Sequence, residues 1–208
     1  MLTTVDDRAA PTTLFLPAGT IDALPDHPSL SRRRLREIEA LLARADAARI
    51  ATLIEDQIIA STRIHEVQHA LNTSEVRRYP PEVERRAGAE EIDERENLYG
   101  TRLNQEVSAY LAELASSPIP RLNLWWLARP AFDHVRPSAV QRDTALIVLA
   151  ALADQLALPL GRPNDRRDLG ALVTKLSATP VDALQAAAKR AWEAMYGLPL
   201  VTMTVAPS

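Results

Sequence analysis

The chain has 208 residues, 47% hydrophobic and 25% charged, a make-up that closes a sizeable core around one globular domain and excludes disorder over most of its length. Its formal net charge of −3, with both signs interspersed, leaves no sustained positive surface for phosphates, so nucleic acid is not an expected partner. Cysteine is absent, which excludes disulfides and thiolate ligands and leaves any metal ion to histidine and carboxylate.

The N-terminus, MLTTVDDRAAPTTLFLPAG, carries acids where a signal peptide needs positive charge, and its apolar run Leu14-Phe15-Leu16 is too short for a signal core. A cytoplasmic location is therefore the default expectation, with which leaderless export as an effector or toxin is compatible. No membrane partner is expected, because even the apolar segment from Ala145 to Leu158 is interrupted by Asp154 and Gln155.

Residues 1–29, rich in Pro, Thr and Asp, read as an irregular lead-in with one short strand at Thr13 to Leu16. Ser29 or Ser31 can cap a helix whose apolar positions Leu35, Ile38, Leu41, Leu42 and Ala45 follow the basic run Arg32-Arg33-Arg34, which reads as a solvated face. A second apolar series, Ile50, Leu53, Ile54, Ile58 and Ile64, runs without Gly or Pro to Asn72 and predicts helix across it. Pro80-Pro81 breaks the chain, and the acid- and arginine-rich stretch from Glu82 to Asn97 predicts an exposed loop or helix with little core.

The next helix is expected from about Thr101, carrying Leu103, Val107, Tyr110, Leu111 and Leu114, and ending at Ser116-Ser117-Pro118. Pro118 to Pro137 reads as a proline-punctuated connector. Its apolar residues, Trp125 and Trp126 among them, imply packing on the body of the protein, with a substrate groove as the alternative use of the tryptophans. Three helices complete the chain: Ser138 to Leu158, roughly Arg166 to Leu176, and Val181 to Tyr196. The last is expected to have Thr179 as cap, Pro180 in its first turn and Gly197 as terminator. The tail from Leu200 to Val205 alternates as a strand would. The fold class that follows is mainly α with minor β, a single domain over residues 30–208 with a site half at 30–117 and a helical C-terminal half at 137–197.

Chemistry concentrates in Ile64-His65-Glu66-Val67-Gln68-His69-Ala70. On a helix His65 and His69 lie about 40° apart and one turn up, with Glu66 about 60° further round, so all three can face one point. Two imidazoles at that spacing can bind one zinc ion while the glutamate reaches a water on the metal. The pattern resembles the His-Glu-x-x-His of zinc metallopeptidases. A composition such as this one produces it by chance in roughly one chain in two hundred, so the helical context counts as much as the match. The competing reading is a helix with two surface histidines and a glutamate between them.

A catalytic zinc takes a third protein ligand, here restricted to His, Asp or Glu. His134 lies far beyond the short spacing of a third histidine and reads as a packed connector residue or a substrate contact. Glu106 is the stronger candidate, beside the apolar stripe of its helix, with small Ala109 permitting close approach to the histidine helix. Glu113, two turns on and nearly on the same face, is the alternative, and the acids from Glu90 to Glu96 are more distant ones.

The arrangement from Ile58 to Glu113 resembles the gluzincin branch of the zincins, in which a glutamate on a later helix completes the site. The resemblance implies a Zn2+-dependent metallopeptidase acting on a peptide or protein substrate, with His65, His69 and Glu106 as metal ligands and Glu66 as general base. Tyr110 is ranked first as donor to the developing oxyanion, ahead of Tyr99 and His134, and Asn72 or Glu113 would hold an imidazole from behind. A non-catalytic interaction module with a zincin-like shell, or a zinc hydrolase of non-peptide amides, would carry the same residues.

Overall fold

The computed structural model describes residues 47–72, 79–92, 95–132, 139–162 and 165–201. The lead-in with its strand at Thr13 to Leu16, the helix behind Arg32-Arg33-Arg34, His134, and the tail beyond Val201 all lie outside the described residues. Among the described residues there are seven helices and one minimal hairpin, a mainly α fold as the apolar periodicity predicts. None of those helices is long and apolar enough to cross a membrane.

The histidine helix, α1, spans Ala47–Asn72. Helix α2 (Pro81–Ala87) opens on a proline, whose fixed φ suits a first helical position and whose missing N–H would have no partner there. It buries Val83 completely, the one fully buried apolar side chain among the described residues of the charged stretch. Strands β1 (Glu91–Ile92) and β2 (Arg95–Glu96) pair antiparallel.

Helix α3 (Leu98–Ser116) starts three residues earlier than its apolar series suggests, because Asn97 caps it: the Asn97 side-chain oxygen accepts from the Gly100 N–H at 3.0 Å. The Asn97 amide donates to the carbonyls of Ala87 and Ala89, tying the start of α3 to the end of α2. Tyr79 crosses over this first turn, donating to the Asn97 carbonyl at 3.0 Å. A Cβ on Gly100 would overlap the Tyr79 ring. Gly100→Ala is therefore expected to destabilise the protein by about 1–3 kcal/mol through overpacking, read as a lowered urea midpoint with an unchanged m-value.

The connector expected between Pro118 and Pro137 is instead a helix, α4 (Pro120–Phe132). Pro120 sits at the first position, where a helix tolerates proline, with Leu122 and Asn123 donating their N–H groups to the Ile119 carbonyl, while Pro130 lies inside the last turn and has no N–H to give to the Trp126 carbonyl. Leu124, Leu127 and Ala128, at helical spacing, are buried, and Trp125 is buried with them while Trp126 is half-buried.

Helices α5 (Ala139–Gln155), α6 (Arg166–Ala178) and α7 (Val181–Tyr196) follow as the periodicity predicts. Asp165 caps α6, and the N–H groups of Arg167 and Asp168 hold its carboxyl below the usual range. The cap of α7 differs from expectation. Pro180 occupies that position without a side-chain bond, while the Thr179 hydroxyl donates back to the Lys175 carbonyl and closes α6. Gly197 ends α7 in the left-handed conformation, with φ at 68°. Leu200 and Val201 form no strand, so the alternation of the tail does not produce one over these two residues.

Helix α3 is the axis of the molecule, packing on α1, α2, α4, α5 and α7. Its stripe of Leu103, Val107, Leu111 and Leu114 enters a core with Leu149 and Leu152 of α5, Leu172 and Leu176 of α6, and Leu184 of α7. The adjoining face of α3 meets α1, so the site half and the C-terminal half of the chain join along one helix.

Candidate metal centre

The buried stripe of α1 is unusual in being largely polar: Ser61, His65 and Gln68 are buried together with Ile58 and Ile64. A buried polar group left unbonded costs about 1–3 kcal/mol, so each needs a partner on α3. Ser61 donates to Glu113 Oε1 at 2.8 Å, His65 Nδ1 lies 3.0 Å from Glu113 Oε2, and Gln68 Nε2 donates to Ser108 Oγ at 3.0 Å. Ala109 is fully buried, and a methyl side chain at that position of α3 permits the close approach these bonds require.

The two imidazoles converge. His65 Nε2 and His69 Nε2 are 3.0 Å apart, and Glu106 presents one oxygen to each, with Oε2 at 3.6 Å from His65 and Oε1 at 3.6 Å from His69. These are the donor atoms of the one group of three or more possible ligands among the described residues. Zinc bonds of 2.0–2.2 Å in a tetrahedron place neighbouring donors about 3.3 Å apart. The two nitrogens stand at 3.0 Å and one Glu106 oxygen lies within 4.8 Å of both, a spread that small side-chain shifts close onto a cation of that size. Two nitrogens and a carboxylate suit a borderline ion such as zinc better than a hard one. His65 is 2% exposed, whereas His69 and Glu106 are half-buried, so the group opens toward solvent on one side.

Glu113 stands behind the cluster, on Nδ1 of His65 and away from the converging Nε2 atoms. As acceptor from the Nδ1 hydrogen, its carboxylate leaves the lone pair of the ring on Nε2, the tautomer a metal ligand needs. Glu106 and Glu113 differ by only about 20° around α3 but by two turns along it, and this offset gives them separate positions. Tyr110, between them, packs its ring edge-on against His65, with centroids 4.7 Å apart and the planes at 79°. Glu66 is half-buried beside the pair.

Tyr99 is not brought to this cluster. Its hydroxyl donates to Asp143 at 2.7 Å, which also receives Arg86, and burial followed by that carboxylate pushes its pKa up to about 12. Among the described acids of the charged stretch, Glu96 accepts from Thr101 and none joins the histidines. His134 lies outside the described residues, and so does the side chain of Asn72.

Several polar residues around the cluster have no motif to mark them. Asn123 of α4 donates to Ser61 Oγ at 2.6 Å, and Ser117 Oγ lies 2.9 Å from the same atom. Trp192 of α7 donates to Ser108 at 3.1 Å, so Ser108 joins Gln68 of α1 to the C-terminal helix. The serine four residues before His65 and the glutamine one before His69 share the buried face of α1, which is the only sequence signal for either. Comparisons with protein-family models, curated proteins and solved structures return no match to this chain.

Proposed function

We propose that this chain is a zinc-dependent peptidase of the gluzincin kind, hydrolysing peptide bonds in peptide or protein substrates. The observation that carries the reading is the convergence of His65 Nε2, His69 Nε2 and both oxygens of Glu106, with Glu113 holding His65 from behind. A zinc ion held there would supply Lewis-acid polarisation of the scissile carbonyl and acidify a water molecule.

The remaining chemistry belongs to side chains. Glu66, about 60° round the helix from His69, takes a proton from the attacking water and delivers it to the departing amine nitrogen. Tyr110 is assigned to the developing oxyanion, since its helix places it one turn from Glu106 and its ring against His65. The half-buried flank formed by His69, Glu106 and Glu66 is the side from which a peptide enters.

Purified chain loaded with zinc, incubated with a broad library of quenched fluorescent peptides, tests the reading. Cleavage that a chelator abolishes and added zinc restores is the expected outcome. No cleavage across the library, with metal-free protein as stable as the zinc-loaded form, would favour a non-catalytic module.

A further inference from the structure

We infer that Ser61 and Asn123 are positioning residues of the metal centre, acting through Glu113 to fix the orientation of the His65 ring; the inference rests on the zinc reading above. Glu113 is 3% exposed, and its two oxygens are divided between two donors, Oε2 facing His65 Nδ1 and Oε1 receiving Ser61. A carboxylate gripped at both oxygens cannot swing about its terminal torsion, so its direction toward Nδ1 is fixed by the serine. The ring, in turn, keeps Nε2 aimed at His69 and Glu106.

The direction of the protons along this chain of contacts follows from donor counting. The Asn123 amide nitrogen has only hydrogens to offer, so at 2.6 Å the Ser61 oxygen must accept from it. The single Ser61 proton faces two acceptors, Glu113 Oε1 at 2.8 Å and Ser117 Oγ at 2.9 Å, and Ser117 Oγ already accepts the Ile119 N–H at 3.0 Å. The carboxylate is the shorter and the stronger of the two acceptors, so Ser61 sends its proton to Glu113. The order is then Asn123 to Ser61 to Glu113, met from the other side by His65 Nδ1–H. It spans three helices, so α4 is part of the metal site although it supplies no ligand. Buried chains of this kind polarise one another and hold one arrangement more firmly than their separate bonds would.

The test measures zinc affinity by competition with a chromophoric chelator for wild type, Ser61→Ala, Ser61→Thr and Asn123→Ala, beside the melting temperature of each metal-free form. Ser61→Ala is expected to weaken zinc binding about 10–100-fold, with Asn123→Ala shifted in the same direction and Ser61→Thr, which keeps the hydroxyl, near wild type. A purely structural role would lower the melting temperatures and leave the zinc affinity of the folded variants unchanged. Wild-type affinity in whichever of the two alanine variants folds overturns the inference while the zinc reading stands. A wild-type chain that takes up no zinc overturns both.

Discussion

Glu66→Gln is expected to retain the zinc content of the wild type and to lose peptide hydrolysis by about 10²–10⁴-fold, the usual contribution of a positioned general base. The substitution is nearly isosteric and the residue is half-buried, so little packing changes. The converging donors belong to His65, His69 and Glu106, so a metal ion held by them would have no need of residue 66. What disappears is the ability to accept a proton from water and return it to the amine. Metal analysis alongside kcat/KM on one peptide checks this. Activity close to wild type, or zinc lost together with activity, would remove Glu66 from the role assigned to it.

The second large effect separates two of the proposed ligands by their burial. His65→Ala and Glu106→Ala are both expected to abolish tight zinc binding, since three protein donors are the minimum of a catalytic site. Their effects on the metal-free protein should differ. His65 is 2% exposed and sits on the Glu113 carboxylate at 3.0 Å, so its removal opens a cavity and strips a buried acid of that partner. A loss on the order of 3–5 kcal/mol is expected. The Glu106 side chain is 32% exposed, so solvent screens its contacts with the imidazoles, and Glu106→Ala should cost the metal-free protein only about 0–1 kcal/mol. Urea titrations of the two metal-free variants check the contrast. Equal destabilisation would mean that Glu113 does not depend on His65.

Periodicity made most of the described helices legible: the series ending at Ile64, the stripe of Leu103, Val107, Leu111 and Leu114, and the apolar run after Ala145 each yield a helix. The prolines hide α4 in the sequence: Pro120 occupies a tolerated first position, and Pro130, inside the last turn, removes a backbone bond only two residues before the helix ends. Spacing also places His65, His69 and Glu66 on one side of α1 before any coordinates. Residue chemistry ranks Glu106 ahead of Glu113 as a ligand and offers Glu113 as support for an imidazole, but the choice stays open in the sequence, since both lie on nearly one face of α3. Only the level at which α1 crosses α3 puts one at Nε2 and the other at Nδ1.

The partners of the buried α1 stripe were hidden for a related reason. Ser61 finds Asn123 across 62 positions, and Ser108 finds Trp192 across 84, pairings that depend on which helices are neighbours. A serine and an asparagine carry no periodic signature of their own, whereas an apolar stripe does. Tyr99 illustrates the converse. Its position at the edge of the charged stretch made it a candidate for the site, but Asp143 of α5 captures the hydroxyl first.

The most direct measurement is a zinc titration of the metal-free chain followed by X-ray absorption of the loaded form. The proposed centre requires saturation at one zinc per chain and a ligand shell of two imidazole nitrogens with the remainder oxygen. Saturation at zero, or a shell without imidazole, would contradict it.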